Sequence, residues 1–176
     1  MPPPGQAHRR HRRGRGGDGG ADRQAKTANP KRAAAPAPSH LQTKAAALIK
    51  LRGVGVHFSA VLAGEVYYRT FRNRRAVGQS IGLAPSPFQS GDMARDQGIA
   101  KAGNSRARKA MIELAWMWRR HQPDSALSKG FDERVGDRKG RVKRIAIVAM
   151  ARKLSVALWR CLETGLVPEG AVLKRA

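Results

Sequence analysis

At 176 residues the chain has room for one compact domain with a tail, and not for two large domains. Its 35 Lys and Arg against 12 Asp and Glu leave a formal charge of +23, self-repulsive unless a polyanion is near, and nucleic acid is the commonest one. A single cysteine excludes an intrachain disulfide and a cysteine-built zinc site, and no apolar stretch reaches the ~20 residues of a membrane span.

The N-terminus MPPPGQAHRRHRRGRGG is basic but lacks an apolar h-region, so it does not read as a secretory signal. The expectation is a soluble cytoplasmic protein, associated with the nucleoid, with no membrane partner. Residues 1–40 are rich in Arg, Gly, Pro and Ala, with no large apolar side chain except Met1. Such a segment cannot bury enough surface to offset its conformational entropy, and it is expected to be a disordered tail. The run from His8 to Arg15 can hold phosphates through solvated charge. A merely solvated tail, or translated upstream DNA foreign to the gene, stands beside that reading. The basic excess is not confined to the tail, because residues 1–45 hold 10 basic and 2 acidic groups and residues 46–176 hold 25 and 10.

From Leu41 the texture changes. Leu41, Ala45, Leu48 and Leu51 recur at helical spacing, and the pattern stops at Arg52-Gly53-Val54-Gly55. A second helix begins near His57, with Phe58, Val61, Leu62 and Val66 on one face. Residues 71–82 predict a short third helix. Residues 83–103 read as a loop, broken by Pro85, Pro87, Gly91, Gly98 and Gly103, part of which suits a short hairpin. Asn104 is a fitting N-cap for a helix from Ser105 to His121, which Pro123 ends. A short helix follows from about Ser125 to Arg134, then a charged linker over 136–140. The last and longest helix runs from about Arg141 to Thr164; it is apolar on most sides, as suits a central helix, and Gly165 stops it. The fold class is therefore mainly α. It is a helical bundle over 104–165, preceded by a helix-hairpin-helix-like element over 42–66 and a serine-bearing loop over 82–103.

Two segments carry chemistry. Gly53 and Gly55 allow a tight turn and a close backbone approach, and the next helix, opening near His57, aims unpaired N–H groups and a positive dipole end outward. That arrangement grips the phosphates of DNA without reading sequence; an ordinary turn between two helices is the plainer alternative. The second segment couples Ser90-Gly91 to Lys101, Asn104, Arg106 and Arg108 at a helix start, where cations and N–H groups can neutralise phosphate. By composition alone Ser90 is a Ser-Gly turn, since no adjacent base activates it.

Other side chains favour structural roles. Trp116, Trp118 and Trp159 could stack on bases but sit at helical spacing among apolar neighbours, which favours the core. Cys161 reads as a small buried hydrophobe. His57 and His121 have no spaced partners for a metal site. Glu65, Asp92, Asp96 and Glu113 are scattered and predict no metal cage; Glu113 reads as a helix-surface or ion-pairing group.

In order, the chain shows Arg-Gly-Val-Gly, Phe-Arg-Asn-Arg-Arg, Gly-Leu-Ala-Pro-Ser-Pro-Phe-Gln-Ser-Gly, Gly-Ile-Ala-Lys-Ala-Gly-Asn, Glu-Leu-Ala-Trp-Met-Trp and Ala-Arg-Lys-Leu-Ser-Val-Ala-Leu-Trp-Arg. This ordered set resembles the C-terminal domain of the IS110 and IS1111 insertion-sequence transposases over roughly residues 41–175. The resemblance implies that Ser90 attacks a DNA phosphodiester to give a phosphoserine intermediate. It implies that Gly91, Lys101, Asn104 and Arg108 handle the DNA nearby, that a structured RNA of the element guides the choice of DNA, and that the full-length protein is a homo-oligomer. It also implies Mg2+ held by an N-terminal RuvC-like domain with four acidic ligands. No cofactor is expected in this chain itself, because upstream of Leu41 only Asp18 and Asp22 are acidic. The expectation is a truncated copy that binds nucleic acid but is inactive alone. A non-catalytic nucleic-acid-binding module, or a decayed gene fragment, is the alternative.

Overall fold

The computed structural model describes residues 38–90 and 93–175. The expected tail, apart from its last three residues, therefore lies outside the described residues, as do Gly91 and Asp92.

Eight elements follow in chain order: α1 (Pro38–Ile49), α2 (Val56–Glu65), α3 (Arg74–Ser80), β1 (Pro85–Ser90), β2 (Met93–Ile99), α4 (Ser105–His121), α5 (Ala126–Val135) and α6 (Arg141–Thr164). The fold is mainly α, as the hydrophobic periodicity predicts. Pro38 opens α1, at a place where a missing N–H costs nothing. Local signals set several other boundaries. Asn73 Oδ1 accepts from the Ala76 N–H at 2.9 Å, so α3 begins after Asn73, three residues later than expected. Asn104 Oδ1 accepts from the Arg106 and Ala107 N–H groups, both at 3.0 Å, and caps α4. Gly165 in the left-handed region ends α6, its N–H donating to Cys161 O at 2.9 Å.

Helix α6 is the hub and packs against α1, α3, α4 and α5, while α2 lies between α1 and α4. Its buried residues Ala146, Ile147, Met150, Ala151, Leu154, Ser155 and Leu158 repeat every three or four positions. They meet Leu48, Leu62, Tyr67, Met111, Leu114 and Trp118 in one continuous core. The expectation that α6 is apolar on most sides needs refining, because one flank faces outward and Ile145 on it is 53% exposed. Buried polar groups are matched within the core. Lys44 Nζ donates to Tyr67 O at 2.6 Å, Tyr67 Oη donates to Ser155 O at 2.8 Å, and Trp118 Nε1 donates to Ser125 Oγ at 3.0 Å.

Much of the loop expected over 83–103 is a two-stranded antiparallel ribbon. Pro85 pairs with Ile99, Pro87 with Asp96, Phe88 with Arg95, Gln89 with Ala94 and Ser90 with Met93, with an irregularity between Pro85 and Pro87. Two prolines in one strand remove ladder donors and hide the period-2 pattern. They are tolerated because, among the described residues, this ribbon has two strands and each keeps an edge without a partner.

Candidate nucleic-acid interface

The ribbon stands on a closed foot. Gly82 has φ 67°, and a Cβ there would lie 2.3 Å from Ala102 O and 2.6 Å from Arg108 Nη1. Gly103 has φ 109°, and a Cβ there would lie 2.5 Å from Ser80 O. Both positions need glycine for conformation and for space. The two chain passages are tied by Ala100 N to Ala84 O at 2.9 Å and Asn104 N to Ser80 O at 3.0 Å, while Leu83 N donates to Gly78 O at 2.9 Å at the end of α3. Arg108 completes the closure, Nη1 donating to Lys101 O at 2.8 Å. Among the described residues the two strands lie against each other, their backbone close to no helix, and Ile99 at the foot packs on the core. Ser90 ends β1 opposite Met93, at the other end of the ribbon from this foot. Gly91, expected beside it, is outside the described residues.

The cations expected around the serine are therefore gathered at the foot, and they are not equally free. Asn104 spends its oxygen on the α4 cap and its Nδ2 on Glu65 Oε2 at 2.8 Å. Arg106 pairs with Glu65 at 3.2 Å through a side chain that is 70% exposed. Solvent screens such a pair, and it competes weakly with a phosphate. Arg108 is engaged by backbone carbonyls, and Lys101 is exposed at φ 53°. Two N–H groups at the start of α4, expected as phosphate donors, are occupied by Asn104.

The turn between α1 and α2 forms a separate group. Gly53 has φ 89°, and a Cβ there would stand 3.0 Å from His121 Cβ, so α4 presses on the turn. Gly55 needs no such freedom; it is the N-cap of α2 at φ −88°, with no side chain capping the helix. Val56 is 70% exposed and His57 is exposed, its ring edge-on to Phe58. Behind the turn, Gln122 Nε2 donates to Arg52 O and Val172 O, and Gln122 Oε1 accepts from Val172 N, each at 2.8 Å. Lys174 Nζ donates to Val54 O at 2.8 Å. The glycine turn and the ribbon foot thus lie at opposite ends of α2, about 15 Å apart for ten helical residues.

A third feature escaped the sequence reading. Between the ribbon foot and the outer flank of α6 lies an open cleft of about 700 Å3. Arg74 and Arg75 of α3 and Arg152, Lys153 and Arg160 of α6 line it, with no Asp or Glu among the described lining residues. The signal was present, since Arg152, Val156 and Arg160 repeat at four-residue spacing. Only the fold brings the Arg74-Arg75 pair to the same place.

Residues 45–129 match the model of the "Transposase IS116/IS110/IS902 family". The protein y4rJ of Sinorhizobium fredii, named as a transposase, is 51% identical over 134 residues, covering 76% of this chain and 34% of that protein. A second protein of that organism with a transposase name, y4qE, is 38% identical over 74 residues, covering 42% of this chain and 19% of its own length. The chain belongs to the IS116/IS110/IS902 transposase family. It spans about a third of the length of its relative y4rJ.

The transposase family match runs from within α1 into α5. It includes the glycine turn and the whole ribbon, while α6, which supplies one wall of the cleft, lies beyond it. Trp118 is wholly buried, in the core as expected. Trp116 is 37% exposed, edge-on to Phe131 with Lys143 Nζ 5.5 Å from its ring. Trp159 packs on the core with its buried Nε1 unpartnered. Cys161 is half-buried rather than buried, and desolvation pushes its thiol above the ordinary range, which disfavours the reactive thiolate. Among the described residues no three His, Cys, Asp or Glu side chains converge, and no helix is long and apolar enough to cross a membrane. Glu65 is held by Asn104 and Arg106 and is not free to ligate a metal.

Proposed function

We propose that this chain is a DNA strand-cleaving and strand-joining domain in which Ser90 is the nucleophile. The observation that carries this reading is the position of Ser90 at the end of β1, at the far end of the ribbon from its foot. A nucleophile at such a tip can reach a phosphodiester lying across the domain. The Ser90 hydroxyl oxygen bonds to phosphorus, the bond from phosphorus to one ester oxygen breaks, and that oxygen leaves as a hydroxyl with the proton Ser90 gave up. Rejoining reverses the exchange, so strands are moved without net hydrolysis.

The glycine turn supports binding by offering the uncapped start of α2, flanked by His57, to a second phosphate. Gly53, Gly55, Gly91, Lys101, Arg106 and Arg108 are proposed DNA-handling residues, and Asn104 acts by holding α4 in place. Metal-holding carboxylates, a guiding RNA and further copies of the protein belong to the proposal for the full-length transposase, with the carboxylates supplied by residues other than those described.

The test is covalent trapping. The chain is combined with the remaining part of a full-length relative and with DNA of the element's end, and denatured products are resolved for protein-bound DNA. Ser90→Ala is expected to abolish the adduct while binding persists; an adduct that survives removes Ser90 from the mechanism. A second reading, binding without cutting, is favoured by the commitment of Glu65 to Asn104 and Arg106. It expects binding and no adduct in any reconstitution.

A further inference from the structure

We propose that the cleft between the ribbon foot and α6 is a track for an unpaired DNA strand. This rests on reading the chain as a nucleic-acid-handling domain, and it does not depend on the role of Ser90. Five cations, Arg74, Arg75, Arg152, Lys153 and Arg160, surround the cleft, and none takes part in either ion pair formed among the described residues. Unpaired positive charge gathered around one concavity is self-repulsive, and a run of phosphates relieves it. The floor between the cations is aliphatic, built from Leu83, Ile99, Leu127, Ile145, Val148 and Val156.

That floor decides between a duplex and a single strand. A duplex turns its phosphates outward and keeps its base faces stacked inside, so an apolar floor finds nothing to cover. An unpaired strand brings base faces that bury against such a surface while its phosphates meet the cationic rim. Among the described residues the lining has no hydroxyl, amide or carboxylate side chain. Those side chains offer no acceptor to a ribose 2′-hydroxyl and no acceptor to base-edge amino groups, which favours DNA over RNA and binding without regard to sequence.

The test uses the full chain and fluorescence anisotropy across a salt series. The probes are an oligothymidylate of about twenty nucleotides, the matching oligouridylate, and a duplex of the same length. Tighter binding of oligothymidylate than of the other two is expected. Lys153→Glu with Arg160→Glu, both exposed positions, is expected to weaken strand binding about tenfold or more and to lower the slope of log affinity against log salt by about two. Arg138→Glu with Lys139→Glu, exposed between α5 and α6, is the charge-matched control and is expected to cost about twofold. Ile145→Ser is expected to narrow the preference for strand over duplex.

Equal losses in the two double variants overturn the proposal, and so does a preference for the duplex or for oligouridylate. If the cleft variant does not fold, cross-linking of the unaltered chain to a strand carrying 5-iodouracil decides. Adducts within residues 145–160 support the track, and adducts confined elsewhere overturn it. If covalent trapping fails while the cleft behaves as expected, only the proposed nucleophile is lost. Trapping with an indifferent cleft removes only the track.

Discussion

Gly82 shows how much of this domain rests on single positions. Its positive φ is one that L side chains rarely adopt, and a methyl group there would run into Ala102 O and the Arg108 guanidinium. Gly82→Ala is expected to cost at least about 2 kcal/mol, read as a lower denaturant midpoint. Gly64, inside α2 with nothing near its missing Cβ, gives the opposite sign. Gly64→Ala is expected to stabilise by about 0.5–1 kcal/mol, because it restricts the unfolded chain and supplies a better helix former. Tyr67 offers a test by pH. Burial, and secondarily the charge of Cys161, raise its hydroxyl well above the ordinary value of 10.0. Above that pH the unfolded chain releases this proton and the folded chain keeps it, so stability falls as pH rises. The contribution is up to about 1.4 kcal/mol per pH unit. The Tyr67→Phe variant is expected to be less stable at neutral pH, through loss of the bond to Ser155 O, and to show a shallower alkaline decline in thermal midpoint. An unchanged alkaline slope would separate Tyr67 from that behaviour. None of these roles is visible in the residue names, since a glycine or tyrosine in sequence carries no record of what packs against it.

At the scale of elements, the helices were legible, and the connection over 83–103 only as a loop with a short hairpin in part of it. The limits of α4 and α6 follow from Asn104, Pro123 and Gly165, which act within one turn of themselves. The ribbon was masked by Pro85 and Pro87, and what holds it is the meeting of Gly82 with Ala102 and of Gly103 with Ser80. Gln122 is a similar case. It reads as the ordinary end of α4, yet its side chain joins that helix to the glycine turn and to the segment at Val172. Gln122→Leu takes their side-chain partner from Arg52 O and the Val172 N–H, while Val172 O keeps the Arg52 N–H at 3.1 Å. It is expected to cost about 1–3 kcal/mol and to speed hydrogen exchange at the Val172 amide. Retained protection there would show that the segment is held by other contacts.

Across the whole molecule, charge sets two opposed responses to salt. Residues 46–176 carry 25 basic and 10 acidic groups, so without a polyanion the folded chain repels itself, and added salt is expected to raise its thermal midpoint. The same salt is expected to weaken DNA binding steeply, because binding releases condensed counterions. A midpoint that falls with salt would mean that attractive ion pairs outweigh the repulsion, against the two pairs found among the described residues. The sequence by itself determined the mainly α class, most helix limits, the basic character, and the ordered motifs that carry the family resemblance. Each of these is written in composition, in spacing along a helix, or in a cap acting on its immediate neighbours. Only the tertiary structure decided that Ser90 ends a ribbon, that Asn104 and Arg108 are tied to the ribbon foot, and that cations of α3 and α6 share one cleft. Those facts depend on contacts between residues far apart in the chain, and local patterns carry no information about which distant surfaces meet.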